Sequence, residues 1–266
     1  MRRIRRQNDE FQVLRSLLNN RQKRHQRGEF IVQGVKPIDA ALKTGWPLRA
    51  LVVNDDAELS RWALDVLDRA PVGTHYFLPA PLMALLAQKD DPVELLAIAA
   101  TRDTTLDDLR RHPALTLCVC DRLQSPGNLG SIARSADALG ADAVVLVGRS
   151  ADPYDPQSVR SSRGSLFSLP VVAVPSLDTL AAWIASVREQ IGLRVIGTDE
   201  RGIPLDAGNL RPPVAIFLGS EGTGLSRGAR SLCDEVVALP MRGVASSLNV
   251  AAAASIFLYT ALDSPR

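Results

Sequence analysis

Short, almost wholly apolar strands separated by helical stretches constrain this chain more than any other feature. Residues 143–147 read Ala-Val-Val-Leu-Val and 214–218 read Val-Ala-Ile-Phe-Leu. A strand with one wet face alternates apolar and polar residues; these do not, so both of their faces are buried. Apolar strands alternating with helices describe a mainly parallel sheet with helices on both sides. From 114 to 262 the expected order is strand 114–120, helix 128–139 stopped by Gly140, and strands 143–147 and 170–174. Helix 177–189, strands 194–197 and 214–219, helix 226–233, strand 235–239 and helix 248–262 complete it.

A second, smaller alternation precedes it. Strand 29–32, helix 35–42 ended by Gly45, strand 49–53, helix 60–69, strand 75–78, helix 81–87 and strand 93–100 make a compact α/β unit. The polar stretch 101–113, ending in Pro113, reads as a linker. The expected division is therefore a basic arm at 1–27, a small domain at 28–100, the linker at 101–113 and a larger domain at 114–266.

The chain has 266 residues, a formal net charge of +2, 46% hydrophobic and 23% charged residues, a globular composition. No apolar run reaches the roughly 18 residues of a membrane span, and 1–27 never develops a secretory apolar region, so a cytoplasmic protein is expected. Cys118, Cys120 and Cys233 fit neither a disulfide framework nor a zinc spacing; they read as buried small hydrophobes in a reducing compartment, and no metal site is expected. The charge is unevenly placed. Arg2, Arg3, Arg5, Arg6, Arg15, Arg21, Lys23, Arg24 and Arg27 face only Asp9 and Glu10 within the first 27 residues. Such a cluster suits contact with a polyanion, although a solvated tail has the same charge.

Ligands of open parallel sheets bind beyond the carboxyl ends of the strands. Three loops occupy that place. The first runs from Asp121-Arg122-Leu123-Gln124 through Ser125-Pro126-Gly127-Asn128-Leu129-Gly130 to Arg134; Asn128 reads as the helix N-cap or as a functional group, and Arg134 as a surface cation or as a phosphate and ribose ligand. The second is Gly219-Ser220-Glu221-Gly222-Thr223-Gly224, which lacks the spacing of a dinucleotide fingerprint and the Lys-Ser/Thr of a P-loop. The third runs from Leu239-Pro240-Met241 to Ser246-Ser247-Leu248-Asn249-Val250, where the serines read as helix caps or as site residues. Gly224-Leu225-Ser226-Arg227-Gly228 matches a hydrolase elbow in letters only, since His25, His75 and His112 all precede it.

In this order and spacing the loops resemble the motifs of the SpoU family of RNA 2′-O-ribose methyltransferases, in the SPOUT superfamily. The resemblance rests on Asn128-x-Gly130-x-x-x-Arg134 with Ala138-Leu139-Gly140, on Leu218-Gly219-Ser220-Glu221-Gly222-x-Gly224, and on Pro240-Met241 with Ser247-Leu248-Asn249-Val250. The small domain, around Gly28-x-Phe30-Ile31-Val32-Gln33-Gly34, resembles the family's L30e-like substrate-binding domain, with Gln33 where relatives more often carry Glu.

That resemblance implies a C-terminal trefoil knot, an exception to the rule that chains do not thread. It implies S-adenosylmethionine held by Leu218, Gly219, Ser220, Gly222, Leu239, Met241, Ser247 and Leu248. It also implies a catalytic group of Arg134, Asn128, Glu221, Ser247 and Asn249, and a homodimer formed through the larger domain. RNA would be gathered by Arg2, Arg3, Arg5, Arg6, Arg21, Lys23, Arg24 and Arg27. Large-subunit ribosomal RNA is the expected substrate. A transfer-RNA methyltransferase, a non-catalytic RNA-binding protein and a nucleotide- or NAD-binding enzyme are the competing expectations.

Overall fold

The computed structural model describes residues 1–88, 93–245 and 247–262. Its contacts divide the chain into two units, Met1–Arg102 with Tyr154–Ser168, and Asp103–Pro153 with Leu169–Arg266.

The first unit contains β1 (Arg2–Arg3), α1 (Asp9–Asn19), α2 (Arg21–Arg27), β2 (Glu29–Gln33), α3 (Val35–Lys43) and β3 (Leu48–Asn54), then α4 (Arg61–Arg69), β4 (Thr74–Leu78), α5 (Ala80–Ala87) and β5 (Leu95–Ala100). Its sheet runs β1-β4-β3-β5-β2 and is mixed: β4 is parallel to β1 and β3, whereas β5 is antiparallel to β3 and β2. Segment 1–27, set apart by its charge, is a folded part of this unit. Asn8 caps α1 through Phe11 N–H at 3.0 Å, and Asn20 caps α2 through Lys23 N–H at 3.0 Å. Phe11, Leu14, Leu17 and Leu18 recur at helical spacing and are buried in a cluster with Ile4, Ile31, Val52 and Leu86. Charge on the outer face of α1 masks that stripe in the sequence.

The excursion Tyr154–Ser168, which includes a helix over Pro156–Ser162, belongs to this unit rather than to the larger one. Phe30 meets Tyr154 at 4.7 Å between ring centroids, and Trp46 meets Phe167 edge-on at 5.2 Å. Gly164, at φ +108°, lies so near α3 that a Cβ there would stand 2.8 Å from Ala40 Cβ. Gln33 is buried, donates to Leu86 O at 3.0 Å and accepts from Arg160 at 3.3 Å. A carboxylate could not make the first of these bonds.

The second unit contains β6 (Thr116–Asp121), α6 (Pro126–Leu139) and β7 (Ala143–Val147). After the excursion, whose helix is α7, come β8 (Val171–Val174), α8 (Leu177–Ile191), β9 (Arg194–Pro204), β10 (Val214–Leu218), α9 (Arg227–Leu232), β11 (Glu235–Ala238) and α10 (Val250–Leu262). The sheet order is β11-β9-β10-β6-β7-β8 and every pairing is parallel. Successive residues serve opposite cores. Cys118, Cys120, Val144, Leu146, Ile216 and Leu218 face α6 and α10, whereas Leu117, Val119, Val145, Ala215 and Phe217 face α8 and α9. That double burial is why these strands carry no polar alternation.

Two boundaries differ from the sequence reading. Leu106 and Leu109, inside the expected linker, are buried in the second core, and Thr105 and Asp108 close a capping box there. β9 continues past Gly197 to Pro204, with a register shift opposite Val236 and Val237 that lets an apolar strand run on into polar sequence. Among the described residues, no helix is long and apolar enough to cross a membrane.

Candidate active site

The carboxyl ends of β6, β9, β10 and β11 carry the loops that form the site. After β6, Ser125 caps α6: its side chain accepts from Asn128 N–H at 3.3 Å, and Pro126 occupies the first helical turn. Asn128 is therefore not the cap, and its amide is left to reach outward from the first turn. It donates from Nδ2 to Glu221 Oε1 and accepts on Oδ1 from Asn249 Nδ2 at 3.1 Å.

Asn249 is the cap of α10. Its Oδ1 accepts from Ala251 N–H at 2.9 Å, so the helix begins at Val250 instead of 248, and capping does not fall to the serines. Ser246 lies outside the described residues. Ser247 is exposed and, among the described residues, makes no side-chain hydrogen bond. Three loops thus meet through Asn128, Glu221 and Asn249.

The loop after β10 folds back on itself. Ser220 N–H donates to Gly224 O at 3.2 Å and Gly224 N–H to Ser220 O at 2.9 Å, while the Ser220 and Thr223 hydroxyls pair at 2.8 Å. Gly219 is required by this closure: a Cβ there would stand 2.2 Å from Gly224 C. Its missing side chain makes room for the loop's own backbone. Gly222, at the tip, has nothing within 4 Å of such a position.

Leu218 is buried at the end of β10, and Leu239 packs partly buried on the same core. Met241, Val244 and Leu248 are exposed although apolar, all on the stretch between β11 and α10. Exposed apolar side chains gathered on one loop suit a flat, partly apolar ligand.

Arg134, further along α6, is exposed and has no ion pair or hydrogen bond among the described residues. Of the cations expected to meet RNA, Arg2, Arg3, Arg5, Arg6, Arg21, Lys23 and Arg27 are exposed on the first unit. Arg24 is the exception. It is 2% exposed and donates to Leu17 O at 3.0 Å, Leu18 O at 3.1 Å and Asp155 at 3.4 Å. A guanidinium consumed by the last carbonyls of α1 is structural and is not available to a phosphate.

Thr198 and Asp199 escaped the sequence reading, and Asp121 and Arg122, inside its first loop, carried no expected task. Asp121, 1% exposed, accepts from Ser226 N–H at 2.5 Å, and Arg122 donates to Gly224 O at 3.1 Å. Thr198 donates to Phe217 O at 2.9 Å, and Asp199 pairs with Arg230 at 2.8 Å beside Gly224. The local signal was the polar run Thr198-Asp199-Glu200 directly after an apolar strand. Below the site, Cys118 and Cys120 are buried free thiols; hydrogen bonding to Cys118, burial and the negative charge of Glu221 hold the Cys120 thiol well above its usual range.

Over residues 116–259 the chain matches the SpoU rRNA Methylase family, and over 8–97 the SpoU L30e-like domain. It is 43% identical over 266 residues to the 23S rRNA (uridine(2479)-2′-O)-methyltransferase of Streptomyces viridochromogenes, covering 98% of this chain and 92% of that protein. To the 23S rRNA (guanosine(2553)-2′-O)-methyltransferase RlmP of Bacillus subtilis it is 28% identical over 243 residues, covering 91% and 92%. The crystal structure of the SpoU methyltransferase AviRb from Streptomyces viridochromogenes in complex with the cofactor AdoMet superposes with a TM-score of 0.91 at 41% identity, covering 97% of this chain and 100% of that one.

Proposed function

The chain belongs to the SpoU rRNA Methylase family, and from that membership we propose that it methylates a ribose 2′-hydroxyl of large-subunit ribosomal RNA with S-adenosylmethionine. The observation that carries this reading is the junction of Asn128, Glu221 and Asn249 beside a loop of exposed apolar side chains, with Arg134 without a protein partner among the described residues. Such a site offers fixed polar groups and an apolar surface.

The donor set fits the cofactor. Backbone groups around Gly219, Leu239 and Leu248 would hold its adenine and ribose, and the exposed Met241 and Leu248 would supply apolar cover. When bound, S-adenosylmethionine supplies a sulfonium methyl that the ribose 2′-oxygen takes as the carbon–sulfur bond breaks, leaving a neutral thioether. Arg134 binds the phosphate next to the reacting ribose through its fork of donors and orients the hydroxyl. A guanidinium offers donors and no acceptor, so the hydroxyl proton leaves by way of an oxygen of the phosphate that Arg134 holds and passes on to water. Ser247 and Asn249 position the ribose, and Glu221, held by Asn128, keeps the second loop in place.

The exposed cations of the first unit attract the RNA backbone, and this attraction weakens as salt rises. Ala252, Ile256 and Tyr259 form an exposed, largely apolar stripe at helical spacing on α10, and a second copy of the chain covers it. The knot expected from the family is supported by the path of the chain: after β11, at one sheet edge, it returns as α10 to the core shared by β6 and β10. A protein with this substrate works in the cytoplasm.

The test is transfer of tritiated methyl from S-adenosylmethionine to 23S-type ribosomal RNA and to transfer RNA, with the product mapped as a bond resistant to alkaline cleavage. We expect label in ribosomal RNA at one position. Arg134→Ala should bind the cofactor with unchanged affinity and lose at least about a hundredfold in transfer. Label in transfer RNA alone moves the substrate; turnover retained in the variant removes the role given to Arg134.

A further inference from the structure

Among the described residues, three that are not glycine have a positive φ: Gln88, Arg122 and Arg163. Gln88 and Arg163 end helices, where a left-handed residue is common. Arg122, at φ +58°, instead follows β6 directly, at the floor of the candidate site. A glycine would adopt that conformation without strain, so what this position gains from arginine lies in the side chain.

The stem of that side chain passes over Gly148, where a Cβ would stand 3.0 Å from Arg122 Cγ. Its backbone N–H is held by Val147 O at 3.0 Å. Nε donates to Asp121 Oδ1 at 3.3 Å, and Nη2 donates to Gly224 O at 3.1 Å. Gly224 O already accepts from Ser220 N–H, so the guanidinium takes the second lone pair of the carbonyl that closes the glycine loop. Asp121 holds Arg122 with one oxygen and the N–H of Ser226, the cap of α9, with the other at 2.5 Å. Both ends of the loop's closing segment are thereby tied to the end of β6.

We infer that Asp121 and Arg122 form a latch that fixes the 219–224 loop, with Arg122 a positioning residue that sets methyl-donor affinity through Gly224. The inference rests on the reading that this loop holds S-adenosylmethionine. It predicts that the guanidinium changes donor binding more than it changes stability or the chemical step.

Arg122→Gly removes the guanidinium and suits the left-handed backbone; Arg122→Lys keeps a donor and the strain. Each full-length variant is titrated calorimetrically with S-adenosylmethionine, melted, and assayed for KM and kcat on ribosomal RNA. Arg122→Gly should keep or raise Tm, weaken donor binding and raise its KM about tenfold or more, and lower kcat by less than KM rises. Arg122→Lys should recover part of the affinity. If the native chain binds the donor and Arg122→Gly binds it equally well, the latch is overturned while the functional reading stands. If the native chain does not bind the donor, both fall. A drop in Tm that tracks the loss of binding in both variants makes the residue purely structural and also overturns the latch.

Discussion

Asn249 donates from Nδ2 to Oδ1 of Asn128 at 3.1 Å across a sequence separation of 121 residues. The bond joins the cap of the last helix to the first turn of α6, and the other end of the Asn128 amide holds Glu221. Every polar atom of that Asn128 amide is directed by a neighbour, which fixes which edge of it the site presents.

Asn128→Ala removes both bonds. One of them is to a carboxylate, a class worth about 1.5–3 kcal/mol, so kcat/KM for methyl transfer should fall roughly 10- to 150-fold. Asn128→Asp should be worse, because it places a second carboxylate against Glu221. Glu221→Gln added to Asn128→Asp should restore activity above that of Asn128→Asp alone; strict additivity of the two single effects would show that the contact carries no coupling.

Gly219→Ala forces a Cβ to 2.2 Å from the backbone of Gly224. Opening that closure should cost about 1–3 kcal/mol, the range for an overpacked site, and weaken donor binding. Gly222→Ala meets open space and should leave both unchanged. Thermal melts and cofactor titrations of the pair decide it; equal behaviour of the two variants would contradict the closure.

Lys23 and Arg24 are adjacent in sequence but opposite in setting. Lys23→Ala should leave Tm alone, weaken RNA binding and reduce the steepness of its salt dependence. Arg24→Ala strips a buried cation from Leu17 O, Leu18 O and Asp155. It should destabilise by about 3–5 kcal/mol, seen as a lowered urea midpoint, with little effect on the salt dependence of binding that remains.

Burial and the neighbouring Asp234 push the Cys233 thiol from its ordinary 9.0 up to about 11. The folded state therefore keeps a proton that the unfolded chain loses first. This contribution is fully present below pH 9.0 and is lost as pH rises from there toward 11. Urea midpoints measured between pH 8 and 10.5 should fall with pH in the native chain, and less in Cys233→Ser. Parallel slopes would remove Cys233 as the cause.

Most elements of both units were legible because apolar spacing reports burial locally. Val214–Leu218 and Ala143–Val147 could only be strands buried on both faces, and they are. Gly140 stops α6 in a left-handed conformation that its position announced. The helices of 1–27 were hidden because charge dominated the reading, although Asn8 and Asn20 were present as caps and Phe11, Leu14, Leu17 and Leu18 as a stripe. At the site, the residue types were legible and their tasks were not. Asn128 looked like a cap because asparagine often is one; Ser125 caps instead and frees it.

By itself, the sequence determined the buried parallel sheet, the three glycine- and asparagine-bearing loops at its carboxyl end, and the family to which the chain belongs. Only the tertiary structure decided that Asn249 meets Asn128, that Arg122 reaches Gly224, that Arg24 is spent inside the first unit, and that Tyr154–Ser168 packs there too. Backbone conformation and apolar faces follow from neighbours a few positions away. Which side chains meet across more than a hundred positions depends on strand order, and β6 lies beside β10 for reasons that no local spacing records.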